Sequence, residues 1–199
     1  MMRTRYVNLF VVVAVTMSAC DSPTAAKRSS GSIEPSTVRI AVHIAGDPSI
    51  ASGGGKAELP PGFSPLSFSF NAELVAGGVS GQFRQFYESD DGTVDFHGEV
   101  TCVSFDPVNN RAWIGGVVTQ NESTDPAART TRHEVGDDVW FRVVDNGEGN
   151  APPDRTTVFG FEPGPGGIIT SAEYCARQLW TAGDVNTWVV TSGNIQVNP

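Results

Sequence analysis

Most of the short motifs that reveal an enzyme are missing from this chain. It has no GxSxG nucleophile elbow, no phosphate-binding P-loop, no GxGxxG following a strand and no HExxH zinc pair. It also lacks a CxxC pair, and its three histidines, His43, His97 and His133, are far apart in the sequence. These absences disfavour the familiar hydrolases, nucleotide-dependent enzymes, and redox or zinc sites.

Basic residues are scarce. The chain holds 13 Lys and Arg against 22 Asp and Glu, which gives a formal net charge of −9. An acidic surface argues against nucleic acid as a partner and against electrostatic docking on anionic lipid. It fits a solvated domain outside the cytoplasm.

No apolar run is long enough to cross a bilayer, which takes about 20 residues. The longest, Tyr6–Val15, follows a basic head with Arg3 and Arg5 and precedes the small residues Ser18 and Ala19. A basic head, a short apolar centre and small residues before a cleavage point are typical of a secretory signal. Removing this leader lowers the formal charge to about −11.

The end of the leader, Met17-Ser18-Ala19-Cys20, resembles the lipobox of bacterial lipoproteins. The resemblance implies that residues 1–19 are a signal peptide and that Cys20 then carries diacylglycerol and palmitate. It implies export and a membrane partner reached through the N-terminal lipid, at the inner or outer membrane of the cell envelope. The Ser-, Pro- and Ala-rich residues 20–36 would be a flexible tether.

The remaining residues, 37–199, are predicted to form one all-β domain. Alternation of apolar and polar residues predicts about eight strands joined mostly by short loops, with one short C-terminal helix. Successive strands at this spacing favour an antiparallel sandwich or a small barrel. A strand is predicted over 37–45, an extended loop over 46–65, and an exposed loop over 121–134.

The centre of the predicted domain is a hairpin over Thr93–Thr119. Alternation places Val100 and Cys102 on one face of its first strand. In the second strand, Gly115 and Gly116 leave room for a bulge or for close approach of another backbone. The helix is predicted over Thr170–Trp180, where Thr170 and Glu173 have the spacing of a capping box.

Cysteine count predicts one disulfide. If Cys20 carries lipid, Cys102 and Cys175 remain, and an even remainder in an oxidising compartment is usually paired. Their bond would tie the late helix to the central hairpin. The alternative, a redox or metal pair, lacks supporting histidines or a CxxC.

A Gly-rich acidic loop is the candidate metal site. Asp145, Asn146, Glu148 and Asp154 are oxygen donors of the kind that Ca²⁺ takes, and no other cofactor is indicated. The spacing is not that of an EF-hand. The alternative is a plain turn, because Asn146-Gly147 is a strong hairpin signal.

Two further groups of side chains are candidates for a catalytic or ligand-binding site. His97 lies between Asp95 and Glu99 on one strand, as an acid–base pair or as an ordinary polar outer stripe. The four tryptophans are read either as the lining of a ligand cleft or as core residues. They are Trp113, Trp140, Trp180 and Trp188.

The segment from Leu66 to Val197 resembles bacterial secreted proteins to which no activity is attached. The shared runs are HGEVTCVSF, NRAWIGGVV, VVDNGEG with a following PPD, and a late cysteine before GNIQV. The resemblance implies one extracytoplasmic β domain. The favoured function is a non-catalytic binding or interaction domain for a protein or small-molecule ligand. The alternatives are a hollow-barrel carrier of a small ligand and an unrecognised hydrolase.

Overall fold

The computed structural model describes residues 47–149, 151–160, 167, 170–179 and 185–199. The predicted leader, the tether with Cys20 and the predicted strand 37–45 lie outside these residues. The described strands are β1 Ser49–Ala57, β2 Leu66–Val75, β3 Gly78–Ser89, β4 Gly92–Asp106, β5 Arg111–Asn121, β6 Asp138–Val144, β7 Arg155–Thr156 and β8 Trp188–Asn198. One helix, α1, covers Ser171–Arg177, and a π-helical turn covers Ala128–Arg132.

The eight strands form a closed barrel in chain order, and every neighbouring pair is antiparallel. The last strand, β8, pairs back with β1 from Ile50 opposite Asn198 to Ala57 opposite Val190. The predicted all-β class with one short C-terminal helix is therefore confirmed. Of the two architectures left open, the structure has the barrel.

Phenylalanine rings fill the barrel interior. Alternation along β2 turns Phe68 and Phe70 inward, and both contact Phe159 at ring-centroid distances of 6.0 and 6.3 Å. Phe141 stacks on the same ring at 3.7 Å. Burying each such side chain contributes about 1.5–3 kcal/mol, so this cluster supplies much of the stability.

Strand β1 corrects the predicted loop over 46–65. Three successive glycines indicated a loop, but Gly53 pairs with Phe70 of β2 and Ile195 of β8. A Cβ on Gly53 would lie 2.8 Å from a ring carbon of Phe70 and 2.9 Å from the carbonyl oxygen of Asn194. The strand therefore needs glycine because its neighbours occupy the space of a side chain.

A bulge in β4 corrects the predicted face of Cys102. Val100 pairs with Gly116 and Cys102 with Gly115, so Thr101 is an extra residue that reverses the alternation. Val100 stays inside the barrel, whereas Cys102 points outward. Of the bulge or close approach expected at the glycine pair, the close approach is confirmed, because a Cβ on Gly115 would lie 2.6 Å from the Cβ and 3.1 Å from the Cα of Ser171. The extra residue of the bulge belongs to the facing strand, β4.

Helix α1 packs on the outside of β4, β5 and β6. Its N-cap is Thr170, whose hydroxyl accepts a hydrogen bond from the N–H of Glu173 at 3.1 Å, as half of the predicted capping box requires. Tyr174 is fully buried against Trp113 and Trp140. The indole N–H of Trp113 donates to the carbonyl oxygen of Leu179 at 2.7 Å.

The predicted exposed loop over 121–134 is exposed at most of its positions, but its buried residues also cover part of the barrel. Its residues Ser123, Asp125 and Ala128 are buried, and His133 stacks on Phe96 with ring centroids 4.2 Å apart. The loop prediction followed the polar composition, but these polar groups have partners. Asp125, for example, accepts a hydrogen bond from the N–H of Ala128 at 3.0 Å. We call residues 122–137 the cap segment.

Candidate functional site

The outer surfaces of β2, β3 and β4 carry a set of polar side chains around one aromatic ring. The strand register places Ser69 opposite Arg84 and Arg84 opposite His97. In the next row Phe86 stands between a serine of β2 and an acid of β4. We call this surface the polar face: Ser67, Ser69, Arg84, Phe86, Asp95 and His97.

An ion pair fixes the centre of the polar face. The Nε of Arg84 lies 3.3 Å from Oδ1 of Asp95, and its Nη2 lies 3.1 Å from Oδ2. The hydrogen bond to Asp95 raises the pKa of Arg84 above its ordinary value. The Arg84 side chain is nonetheless 49% exposed, so its outer edge faces solvent. Two contacts to one carboxylate hold the guanidinium plane in a set orientation.

His97 is the third charged or titratable member. Its Nε2 lies 4.0 Å from Oδ1 of Asp95, and its side chain is 35% exposed. The predicted stripe of Asp95, His97 and Glu99 is thus only partly right. Glu99 is exposed, but Asp95 is almost buried, because it turns toward Arg84.

Two open depressions lie on this surface. One, of about 310 Å³, is lined by Ser67, Ser69, Arg84 and Phe86 together with Phe68. The other, of about 290 Å³, adds His97 and the amide side chains of Asn71 and Gln82. Because Ser69 and Arg84 line both, the two depressions form one continuous groove, and the Arg84 side chain that pairs with Asp95 borders it.

Two of the predicted calcium ligands, Asp145 and Asp154, accept hydrogen bonds from the backbone. Oδ1 of Asp154 accepts from the N–H of Asn146 at 2.9 Å and its Oδ2 from the N–H of Ile195 at 2.8 Å. The two oxygens of Asp145 accept from the N–H groups of Gly147 and Val197 at 2.8 and 3.0 Å. Because β7 is only two residues long, it leaves much of β8 without a neighbouring strand on that side. The two carboxylates accept hydrogen bonds from N–H groups of β8 there.

The two other predicted ligands are also engaged. The side-chain amide of Asn146 donates to the carbonyl oxygen of Pro153, and Glu148 accepts from the amide of Asn194 at 2.9 Å. Among the described residues, no three His, Cys, Asp or Glu side chains are grouped as they would be around a metal ion. The geometry is that of a braced turn, and calcium binding stays a prediction.

The predicted disulfide is present. Cys102 and Cys175 are bonded, with Cα atoms 6.2 Å apart. The bond joins the outward-facing bulge of β4 to the buried side of α1. The cysteine count found this pair, although it could not show which face of β4 carries Cys102.

The structure does not bring the described histidines together. His97 lies on the polar face, His133 is a buried residue of the cap segment, and His43 is outside the described residues. Burial, followed by the nearby charge of Arg132, lowers the pKa of His133 to about 4. At neutral pH this imidazole is uncharged and acts as a packing ring.

The tryptophans do not form a cleft in the described structure. Trp113 and Trp140 are buried with Tyr174 beneath α1, which corrects the cleft interpretation for both. Trp188 packs against the main core, and Trp180 lies outside the described residues. An aromatic ring at an outward position of the groove is Phe86. Its signal in the sequence was an aromatic residue at an outward position of β3, beside the inward Gln85 and Tyr87.

No protein-family model, no curated protein and no solved structure matches this chain. Within the described ranges, no helix combines the length and apolar character that a membrane crossing requires.

Proposed function

We propose that this chain is an exported, lipid-anchored protein of the bacterial cell envelope whose barrel is a non-catalytic binding domain. The polar face is its binding surface. The observation that carries the proposal is Arg84, which Asp95 holds in a fixed orientation and which lines a continuous groove on paired strands. Groups held on rigid strands present a ligand with donors and acceptors already in position.

The filled interior favours this surface over a hollow carrier. Phe83 contacts Phe96, Phe141 and Phe159 at centroid distances of 5.9–6.3 Å, and all four rings are buried. A ligand inside the barrel would have to displace rings that pack at the density of a protein core. The carrier alternative therefore requires a rearrangement that surface binding does not.

The state of the acid beside His97 favours binding over hydrolysis. A general acid or base needs a carboxylate or imidazole directed at a substrate. Asp95 instead directs both of its oxygens at Arg84. The Arg84–Asp95 pair therefore orients hydrogen-bonding groups for ligand recognition. It does not supply a transferable proton.

Mass spectrometry tests the anchor. Full-length protein made in a bacterial host should yield an N-terminal peptide that begins at Cys20 and carries diacylglycerol and palmitate. The Cys20→Ala variant should retain residues 1–19 and gain no lipid. An unmodified amino terminus on the wild-type protein would refute the lipid anchor and leave the binding surface to be judged on its own.

Co-sedimentation tests the binding surface. Detergent-solubilised full-length protein is mixed with detergent-insoluble envelope material, so that micelles hold the lipid and only the domain can bind. We expect retention that falls about tenfold in Arg84→Gln, because the groove loses its fixed charge pair.

Arg177→Gln is the matched control, since Arg177 forms a surface ion pair with Glu173 at the same 3.1 Å distance on helix α1, none of whose residues lines the groove. It should bind like wild type. Retention that Arg84→Gln leaves unchanged would refute the polar face as the binding surface.

A further inference from the structure

The strand edges beside the groove are already paired. β3 hydrogen-bonds to β2 on one side and to β4 on the other, while β2 and β4 also bond to β1 and β5. A peptide cannot add as a further strand here, because the backbone donors and acceptors are used. A ligand of the polar face must be recognised by side chains.

The charges of the groove favour a neutral ligand. Arg84 is neutralised by Asp95, and Glu122 and Glu99 add negative charge nearby. An anionic ligand would meet this excess, in a chain whose net charge is already −9. A strongly basic ligand would have to approach the exposed edge of Arg84.

The side chains supply hydrogen bonds in several directions around a flat apolar ring. Ser67 and Ser69 provide hydroxyls that both donate and accept, and the free edge of Arg84 donates. Oδ1 of Asn71 accepts from the N–H of Gln82 at 3.1 Å, which leaves its amide N–H₂ available to a ligand. Phe86 offers a half-exposed ring among these groups.

We infer that the polar face binds a neutral saccharide of the cell envelope, an inference that rests on the proposed binding function. A sugar ring has hydroxyls at its rim, each able to donate and accept, and a C–H face that packs on an aromatic ring. Arg84 and the serines match the rim, and Phe86 matches the C–H face. The open groove suits a segment of a longer chain.

The test uses the same co-sedimentation assay with the insoluble material treated in three ways. One portion is digested with protease, one is extracted with organic solvent, and one is left intact and mixed with neutral oligosaccharides. The competitor is released by mild acid from envelope that has been both digested and extracted. We expect binding to survive protease and solvent and to fall at least tenfold with the oligosaccharides.

Two ring variants sharpen the result. Phe86→Leu keeps an apolar side chain but removes the flat ring, so we expect about a tenfold loss of saccharide-competed binding. Phe63→Leu is the matched control, because Phe63 is 47% exposed and lies off the groove against Tyr87. It should bind like wild type.

Each outcome bears on the inference separately from the proposed function. Loss of Arg84-dependent binding after protease identifies a protein ligand, and loss after solvent identifies a lipid. Either result overturns the saccharide and leaves the groove as a binding site. Binding that is absent, or that ignores Arg84→Gln, refutes the proposed function itself.

Discussion

Two parts of the same barrel surface have been used in opposite ways. Over the bulge of β4 and over β5 and β6, α1 covers the sheet, and Trp113 beneath it has no exposed surface. Over β2, β3 and the start of β4 the outward positions carry serines, amides and Arg84, which remain open to solvent, while Asp95 beside Arg84 is almost buried. Covered outer positions therefore serve stability in this barrel, whereas open outer positions are available to a ligand.

The largest contrast should come from replacing one ring on each surface. We expect Trp113→Ala to lower the free energy of unfolding by about 4 kcal/mol, because it leaves a cavity and removes the bond to Leu179. Phe86→Ala should lower it by less than about 1 kcal/mol, since its ring is half exposed. Urea denaturation measures both. Equal losses would erase the division between the surfaces.

Opening the disulfide should have the next largest effect. Cys102 and Cys175 are 73 residues apart, so losing their bond frees a long loop in the unfolded chain and costs about 4 kcal/mol in the chain-entropy account. The double variant Cys102→Ser with Cys175→Ser should show this loss in urea. Its stability should not change with reductant, whereas that of the wild type should.

Acid should destabilise the cap segment through His133. Its folded pKa, about 4, lies below the ordinary 6.5, so the unfolded state binds a proton more readily. The contribution of neutral His133 to the free energy of unfolding is complete above pH 6.5 and falls as the pH drops from 6.5 to 4. It totals about 3 kcal/mol. Arg132, Asp125 and Asp137 are the charged neighbours that also act on this ring.

Denaturation at several pH values between 7 and 4 checks this slope. In His133→Phe the slope should disappear, because phenylalanine packs on Phe96 without titrating. Asp125 has a lowered pKa, held down chiefly by its hydrogen bond from Ala128, and contributes its own loss only at lower pH. A slope that survives in His133→Phe would assign the acid sensitivity to another group.

The smallest effect should be that of calcium on the braced turn. Because Asp145 and Asp154 already accept backbone N–H groups with all four carboxylate oxygens, we expect a melting temperature that changes by less than about 1 °C with Ca²⁺ or EDTA. A rise of several degrees with Ca²⁺ would show that a cation displaces these amides.

Alternation and residue chemistry predicted the parts of the fold that depend on local signals. β2 was recognised because Phe68 and Phe70 alternate with serines. The helix was recognised because Thr170 precedes Glu173 at capping distance. The disulfide followed from cysteine count. Each of these signals lies within a few residues or in a simple pairing rule.

The features that local signals did not predict depend on contacts between distant segments. Gly53 lies in a strand because Phe70 and Ile195 occupy its side-chain space, and the glycines alone indicated a loop. Asp154 was predicted as a metal ligand because its acidic loop was the only local signal. Its hydrogen bond from the N–H of Ile195 joins residues 41 positions apart and has no local signal. The groove itself needs the register of three strands, which places Arg84 beside Asp95.

The pairing of β1 with β8 also sets an order of events in the life of the molecule. Synthesis delivers the glycine-rich β1 well before its second partner, Trp188–Asn198. Until β8 is made, one edge of β1 exposes unpaired amides and carbonyls that can pair with other chains. A truncation that removes only the last dozen residues should therefore leave a chain prone to aggregate, even though every phenylalanine of the interior is still present.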